Sequence, residues 1–149
     1  MALCVIMVVA MTVPAFAAGT ISNERTGGLL NCYGNYTSNF NNRNVTDYAT
    51  SSIGNDQLWN LQYTSYATFN GYVASVVSDA YGNTYGLNIN TNTNNCNLRV
   101  ISGNEHDALC YYGQNYIKLA NYSYRLSSSG TNGEVSWSNG GYNTWYYSH

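Results

Sequence analysis

The stretch that decides the fold is residues 59–72, WNLQYTSYATFNGY, where a long alternating segment meets a turn dipeptide. Along most of this stretch every second residue is apolar or small, and mostly polar residues stand between them. A period of two is typical of a half-buried β-strand. Asn70-Gly71 then supplies the two positive-φ positions of a type I′ turn. The stretch therefore predicts a hairpin that places Phe69 opposite Tyr72.

A second two-residue turn, Gly82-Asn83, predicts a third strand with Val76 opposite Ile89. Both turns keep the same alternate positions on one face of a consecutive antiparallel meander. A slip of one residue would bury polar groups such as the Gln62 amide without partners, at roughly 1–3 kcal/mol for each group. The face expected to be buried comprises Trp59, Leu61, Tyr63, Ala67, Phe69, Tyr72, Ala74, Val76, Leu87, Ile89, Leu98 and Val100.

Further strand signals lie on both sides of this meander, the upstream ones weaker, and no helical period occurs after residue 17. The further strands are predicted at 29–36, 45–50, 96–101, 108–112, 116–126 and 135–138. No internal repeat of fixed period is visible. Short strands separated by turn residues indicate an all-β fold, an antiparallel β-sandwich or a partly open barrel built from consecutive hairpins.

The N-terminal residues have the pattern of an export signal. Residues 1–17 combine an apolar run with Ala15 and Ala17 at the positions of an A-x-A cleavage site, which predicts a cleaved signal peptide. A single domain is then expected over 18–149, with its core at about 28–138 and an aromatic C-terminal segment at 139–149. No basic residue precedes Arg25, which leaves open whether the start codon lies upstream. The predicted location is secreted or extracellular, with cell-wall association as an option.

Charge is scarce in this chain and tyrosine is abundant. Charged residues make up 8% of the sequence, the formal net charge is -2, and the five basic residues are scattered. Without a basic patch the chain cannot neutralise a phosphate backbone or dock on an anionic membrane, so neither nucleic acid nor membrane is an expected partner. The 16 tyrosines, with many Asn and Thr residues, predict strands with polar, uncharged surfaces.

Three cysteines follow the predicted signal peptide: Cys32, Cys96 and Cys110. A tight turn near Ser102–Asn104 would place Cys96 directly opposite Cys110, and export permits a disulfide between them. Cys32 would then be left over or would pair between molecules. The alternative is that all three stay reduced and buried, as cysteines often are.

No catalytic or metal-binding group is predicted. Glu105-His106-Asp107 is the one cluster with acid–base character, but consecutive strand residues point to opposite faces, and a solvated turn is its simpler interpretation. The two histidines do not form a metal-ligand pattern. Cofactors are not expected, and the protein is not predicted to be an enzyme. A hydrolase that uses a pair of its carboxylates stays an alternative.

The C-terminal segment offers a candidate ligand surface. Aromatic rings stack on the apolar faces of sugars, and Asn amides donate to and accept from sugar hydroxyls. The candidate residues are Trp137, Asn139, Tyr142, Asn143, Trp145 and Tyr147. The alternative interpretation is that these aromatic side chains simply pack within a sheet.

Three stretches carry a resemblance to a known group of proteins. TVPAFAA at 12–18, ATFNGYVASVVSDAYGNTYG at 67–86 and RVISGNEHDALCYYGQNY at 99–116 resemble small exported β-sandwich proteins of Gram-positive gut bacteria. The resemblance implies export and an all-β fold, and no functional residue is carried over from it.

The sequence thus favours a secreted or cell-surface binding module, with a glycan or cell-wall polymer as its most plausible ligand. One alternative is a self-assembling matrix or fibre protein, since strands with few charges leave their edges unprotected. Another is a bacteriocin-like exported antimicrobial.

Overall fold

The computed structural model describes residues 18–32, 40–66, 69–76, 85–100, 110–113, 115–119 and 122–148. The predicted signal peptide and the Glu105-His106-Asp107 cluster lie outside these ranges. The strands are β1 Thr20–Asn23, β2 Leu29–Cys32, β3 Val45–Tyr48, β4 Trp59–Tyr66, β5 Phe69–Val76, β6 Tyr85–Ile89, β7 Cys96–Val100, β8 Cys110–Gly113, β9 Tyr116–Leu119, β10 Arg125–Ser128, β11 Val135–Ser138 and β12 Trp145–Ser148. A short 3-10 helix, Asn55–Gln57, precedes β4. All strand pairs are antiparallel, which confirms the all-β prediction.

Six of the strands form a closed ring. Ladders join β12 to β1, β4 to β5, β5 to β8 and β8 to β9. The ring continues from β1 to β4 through the bridge between Gly19 and Trp59. It closes between β12 and β9, where the Trp145 amide donates to the Asn115 carbonyl at 2.9 Å. Each ring strand therefore has a neighbour on both sides.

The other six strands form three hairpins, β2–β3, β6–β7 and β10–β11, which close one end of the ring. Bridges join each hairpin to the next: Asn44 to Asn97, Asn95 to Ser136, and Thr46 to Glu134. At the start of the third hairpin's second strand, the Glu134 carboxylate accepts hydrogen bonds from the Asn44 and Asn95 amides at 3.0 and 3.1 Å. The strands of the described ranges thus form a threefold repeat of four, with two of each four in the ring and two in the cap.

Side-chain contacts repeat along with the strands. The Trp59 indole N–H donates to the Leu30 carbonyl at 2.8 Å, and the Trp145 indole N–H donates to the Leu126 carbonyl at 2.9 Å. Both tryptophans are fully buried. The first and third repeats therefore fix their hairpins to the ring in the same way. The buried apolar core comprises Ile21, Leu30, Cys32, Phe40, Val45, Trp59, Tyr85, Leu87, Ile89, Cys96, Leu98, Ile117, Leu119, Leu126, Val135, Trp137 and Trp145.

The predicted meander is present, but both predicted strand registers were wrong. Strands β4, β5, β6 and β7 pair consecutively, as expected. Phe69, however, pairs with Tyr66 instead of Tyr72, a shift of six residues, and Asn70-Gly71 lies inside β5. Val76 pairs with Tyr85 instead of Ile89, a shift of four. Both shifts are even numbers, so the alternation within each strand could not distinguish the registers, and the turn dipeptides misplaced them. Phe69, predicted to end the first strand opposite Tyr72, instead lies three residues before Tyr72 in β5, so its inclusion in the predicted face was wrong.

Burial in the meander agrees with prediction where side chains are described. Trp59, Leu87, Ile89 and Leu98 are buried, and Val100 packs against the core. For Leu61, Tyr63, Phe69, Tyr72, Ala74 and Val76 the structure describes only the course of the backbone. Ala67 lies outside the described ranges.

Two further expectations were wrong in extent. The strand predicted at 116–126 is two strands, β9 and β10, which pair antiparallel through Lys118 and Arg125 because the chain turns between them. The core is also wider than 28–138, since Ile21 and Trp145 are both fully buried. Strands β1 and β12 pair with each other, so both ends of the domain belong to the ring. No helix in the described ranges is long and apolar enough to cross a membrane.

The cysteines are not arranged as the predicted hairpin required. Cys96 lies in β7 and Cys110 in β8, and β5 and β6 stand between these strands. Their direct cross-strand placement was therefore wrong, and the disulfide stays a prediction. Cys32 is a free thiol, 1% exposed, so its pairing between molecules finds no support. Burial raises the pKa of the Cys32 thiol from 9.0 to about 12, with Arg43 lowering it and Asp56 raising it further.

Candidate functional site

The outward side of the cap is where the three repeats differ most. Each hairpin turns one side inward, and on the first hairpin the inward residues are buried. The opposite side is called here the outer face of the hairpin. The first outer face consists of Leu29, Asn31, Thr46 and Tyr48, the second of Gly86, Asn88, Asn97 and Arg99, and the third of Arg125, Ser127, Ser136 and Ser138.

A hydrogen-bonded cluster forms the base of the first outer face. The Asn31 Nδ2 atom donates to Thr46 Oγ1 at 3.0 Å across the β2–β3 pair. The Gln57 side chain donates from Nε2 to Asn31 Oδ1. Gln57 itself is held by the Gly54 amide, which donates to Gln57 Oε1 at 2.7 Å. The short 3-10 helix is thereby fixed against the hairpin, and the polar side chains of the face have one arrangement.

Tyr48 stands at the end of this cluster and is exposed. It lies two residues from Thr46 on β3, opposite Leu29, and 44% of its surface is accessible. The next residue, Ala49, donates its amide to Asn132 Oδ1 at 3.0 Å, which fixes the end of β3 to the third repeat. The face therefore combines an open aromatic ring with a rigid group of hydroxyl and amide side chains.

An acidic side chain lies next to this cluster. Asp56 precedes Gln57 in the 3-10 helix and is half-buried. Its carboxylate is an acceptor for hydroxyl groups. In the described ranges no group of three His, Cys, Asp or Glu side chains could hold a metal ion. The chemistry available at this face is stacking and hydrogen bonding.

The second outer face has the same layout with other side chains. Asn88 and Asn97 are cross-strand partners, as are Asn31 and Thr46 in the first, and Asn88 Nδ2 donates to Asn97 Oδ1 at 2.8 Å. Arg99 occupies the position of Tyr48 and is exposed. The cross-strand hydrogen bond is retained with an amide in place of the threonine hydroxyl, and the aromatic ring is replaced by a cation.

The third outer face is closed upon itself. Ser127 is 2% exposed, and its hydroxyl contacts the carbonyl oxygens of Arg125 and Ser138 at 3.2 and 3.3 Å. Serine replaces both the amide and the aromatic residue of the first face. Apart from the exposed Arg125, whose guanidinium carbon lies 4.4 Å from the centre of the Tyr116 ring, this face offers little side-chain surface for a ligand.

The residues predicted as a C-terminal ligand surface do not come together as one. Trp137 and Trp145 are fully buried, and their indole N–H groups donate to the carbonyls of Asn88 and Leu126. Their prediction as sugar-stacking residues was wrong, because a large apolar ring gains most by burial in the core.

The other candidates of that segment lie at different depths. Tyr147 is half-buried, its hydroxyl donates to the Trp59 carbonyl at 3.4 Å, and desolvation raises its pKa. Tyr142 and Asn139 are exposed and Asn143 is half-buried. Tyr142 pairs with Ser128 through its backbone, and 42% of the residue's surface is accessible.

The first outer face was missed from the sequence. Its members come from two strands, and Gln57 joins them from a third segment. Strand pairing places Asn31 beside Thr46, and a side-chain hydrogen bond places Gln57 beside Asn31. One usable signal is Tyr48, which alternates with the buried Val45 and Asp47 positions at the end of a short strand.

Comparisons with known proteins agree on the architecture. The sequence matches no protein-family model, and no curated protein matches it. A designed threefold-symmetric protein, ThreeFoil, superposes with a TM-score of 0.62 at 16% identity, over 89% of this chain and 98% of that one. The Rhizoctonia solani agglutinin gives 0.58 at 18% identity, over 92% and 96%.

A third similar structure is the C-half of an earthworm R-type lectin, solved in complex with GalNAc. It superposes with a TM-score of 0.53 at 14% identity, over 90% of this chain and 98% of that one. At such identities the likeness concerns the fold. A six-stranded ring capped by three hairpins in threefold repeat, shared with these lectin-like structures, is the β-trefoil, and the chain has this fold.

Proposed function

We propose that the protein is an exported glycan-binding module that takes a sugar on the outer face of its first hairpin. The observation that carries this proposal is the exposed Tyr48 ring beside the hydrogen-bonded cluster of Asn31, Thr46 and Gln57. A sugar ring has an apolar face that stacks on an aromatic side chain and hydroxyls that need fixed polar partners.

The rigidity of the cluster supports this proposal. Binding a sugar costs less when the protein's polar groups are already ordered. Gln57 and Asn31 are 3% and 6% exposed and hydrogen-bonded to each other, so a ligand would not have to order them. Thr46 can turn its hydroxyl hydrogen outward while its oxygen accepts from Asn31.

The similar structures also support a glycan-binding function. Two of the three are a lectin and an agglutinin, and the earthworm lectin holds GalNAc. Export is supported by the pattern of residues 1–17. Assembly through free strand edges is less well supported, because every ring strand within the described ranges has two neighbours.

A paired substitution tests the proposal. The purified protein is screened on an array of neutral glycans, and the best ligand is titrated by calorimetry against Tyr48→Ala and Tyr142→Ala. The two tyrosines have similar exposure, 44% and 42%, so loss of an exposed ring is matched between them. Tyr48→Ala is expected to weaken binding by about tenfold or more, and Tyr142→Ala to leave it unchanged.

The opposite results would reject the site. If no glycan binds, the proposed function is wrong. If Tyr48→Ala binds as the parent does while Tyr142→Ala loses affinity, the ligand lies on the C-terminal segment instead. Thermal unfolding of both variants establishes that each is folded.

A further inference from the structure

The second outer face carries a cross-strand hydrogen bond at the same place as the first, between two amides instead of an amide and a hydroxyl, and a positive charge in place of the aromatic ring. Arg99 is exposed and pairs across the hairpin with Gly86. Because Gly86 has no side chain, its cross-strand position carries no side chain opposite the arginine. On the first face the equivalent residue, Leu29, stands opposite Tyr48.

The amide pair beside Arg99 is buried and only partly satisfied. Asn88 and Asn97 are each 5% exposed. Asn88 Nδ2 donates to Asn97 Oδ1 at 2.8 Å and to the Ile89 carbonyl at 2.9 Å. Within the described ranges no protein partner is present for Asn97 Nδ2 or Asn88 Oδ1, and neither is among the fully enclosed unpaired atoms. Each atom therefore keeps hydrogen-bonding capacity and a small accessible area on a residue that is 5% exposed.

This combination selects a class of ligand. A guanidinium group binds a carboxylate or sulfate through two parallel hydrogen bonds. One free amide donor and one free amide acceptor suit a pair of sugar hydroxyls. A neutral sugar would leave the Arg99 charge unused.

We propose that the outer face of the second hairpin is a second site, specific for acidic sugars such as uronic acids. The inference rests on the proposed glycan-binding function and deepens it, since one chain then holds a neutral-sugar site and an acidic-sugar site. The chain's net charge of -2 gives no general attraction for anions, so binding of an acidic ligand requires a local cation.

The test uses galacturonic acid trisaccharide as the acidic probe and its carboxyl-reduced form as the neutral one. The full purified chain is titrated by calorimetry beside Arg99→Gln and Arg25→Gln. Arg25 is another exposed arginine, in the turn after β1, and controls for loss of one positive charge. Arg99→Gln is expected to weaken the acidic probe by about tenfold or more, and Arg25→Gln to leave it within about twofold.

Tyr48→Ala separates this proposal from the previous one. It is expected to leave binding of the acidic probe unchanged while removing the neutral ligand found on the array. If neutral glycans bind and the acidic probe does not, or if Arg99→Gln binds the acidic probe as the parent does, the second site is wrong and the first stands. If no glycan of either kind binds, the proposed function fails with it.

Discussion

The strongest structural prediction concerns the two tryptophans that fix the first and third hairpins to the ring. Trp59 and Trp145 are fully buried, and each donates its indole N–H to a leucine carbonyl of its own hairpin. Replacing either with Phe removes this donor and part of the ring while keeping an aromatic side chain. Since the two positions are equivalent in the threefold repeat, the two substitutions should cost a similar amount.

The size of the effect follows from the contacts. A buried carbonyl that loses its donor costs about 1–3 kcal/mol. The ring atoms that Phe lacks amount to about two or three buried methylene equivalents, or about 2 kcal/mol at about 0.8 kcal/mol each. Each variant should therefore lose about 3–5 kcal/mol of unfolding free energy, a large share of a typical total of about 5–15 kcal/mol.

Urea unfolding followed by circular dichroism measures this loss. Tyr142→Phe is the control, because its exposed hydroxyl is expected to contribute less than about 0.5 kcal/mol. A cost below about 1 kcal/mol for either tryptophan would refute the role of its hydrogen bond. A difference of more than about 2 kcal/mol between the two variants would refute their structural equivalence.

Two other predictions follow from buried positions. A Cβ at Gly28 would clash with the Asp47 carboxylate, so Gly28→Ala should lower the unfolding free energy by about 2 kcal/mol or more. Gly140→Ala, with open space around it, should change the unfolding free energy little, and equal melting temperatures of the two variants would contradict this. Because burial raises the pKa of Cys32 from 9.0 to about 12, the thiolate is favoured in the unfolded chain, and this contribution to stability is present below pH 9.0 and lost as the pH rises toward 12. Unfolding at alkaline pH should therefore be less pH-dependent in Cys32→Ala, and an unchanged dependence would contradict the shift.

The strands were predictable because alternation is a local signal. The meander β4 to β7 and the short strand β11 Val135–Ser138 could be read from the sequence. The registers could not, because pairings that differ by an even number of residues bury the same alternate positions. In the fold, the neighbouring ring strands β4 and β8 constrain the register of β5. A turn dipeptide carries no information about these neighbours.

The threefold repeat was hidden by its loops. Trp59 follows its partner Leu30 by 29 residues, whereas Trp145 follows Leu126 by 19. Equivalent contacts thus recur without a fixed spacing, and a search for a constant period cannot find them. The same tryptophans misled the choice of site, because aromatic composition alone does not separate a buried indole from an exposed ring.

In each hairpin the inward side packs against the core, while the outer side is free to vary, and this difference underlies both proposals. The inward positions Leu30, Leu87 and Leu126 are all fully buried leucines at equivalent places in the repeat, because the cap needs the same packing three times. The outer positions need no such packing, and there Tyr48 and Arg99 replace each other at equivalent places. Ligand specificity can therefore differ between hairpins without loss of the core. For this reason a substitution of Tyr48 should weaken binding of the neutral sugar, and a substitution of Arg99 should weaken binding of the acidic sugar. Both should leave the unfolding free energy within about 0.5 kcal/mol of the parent.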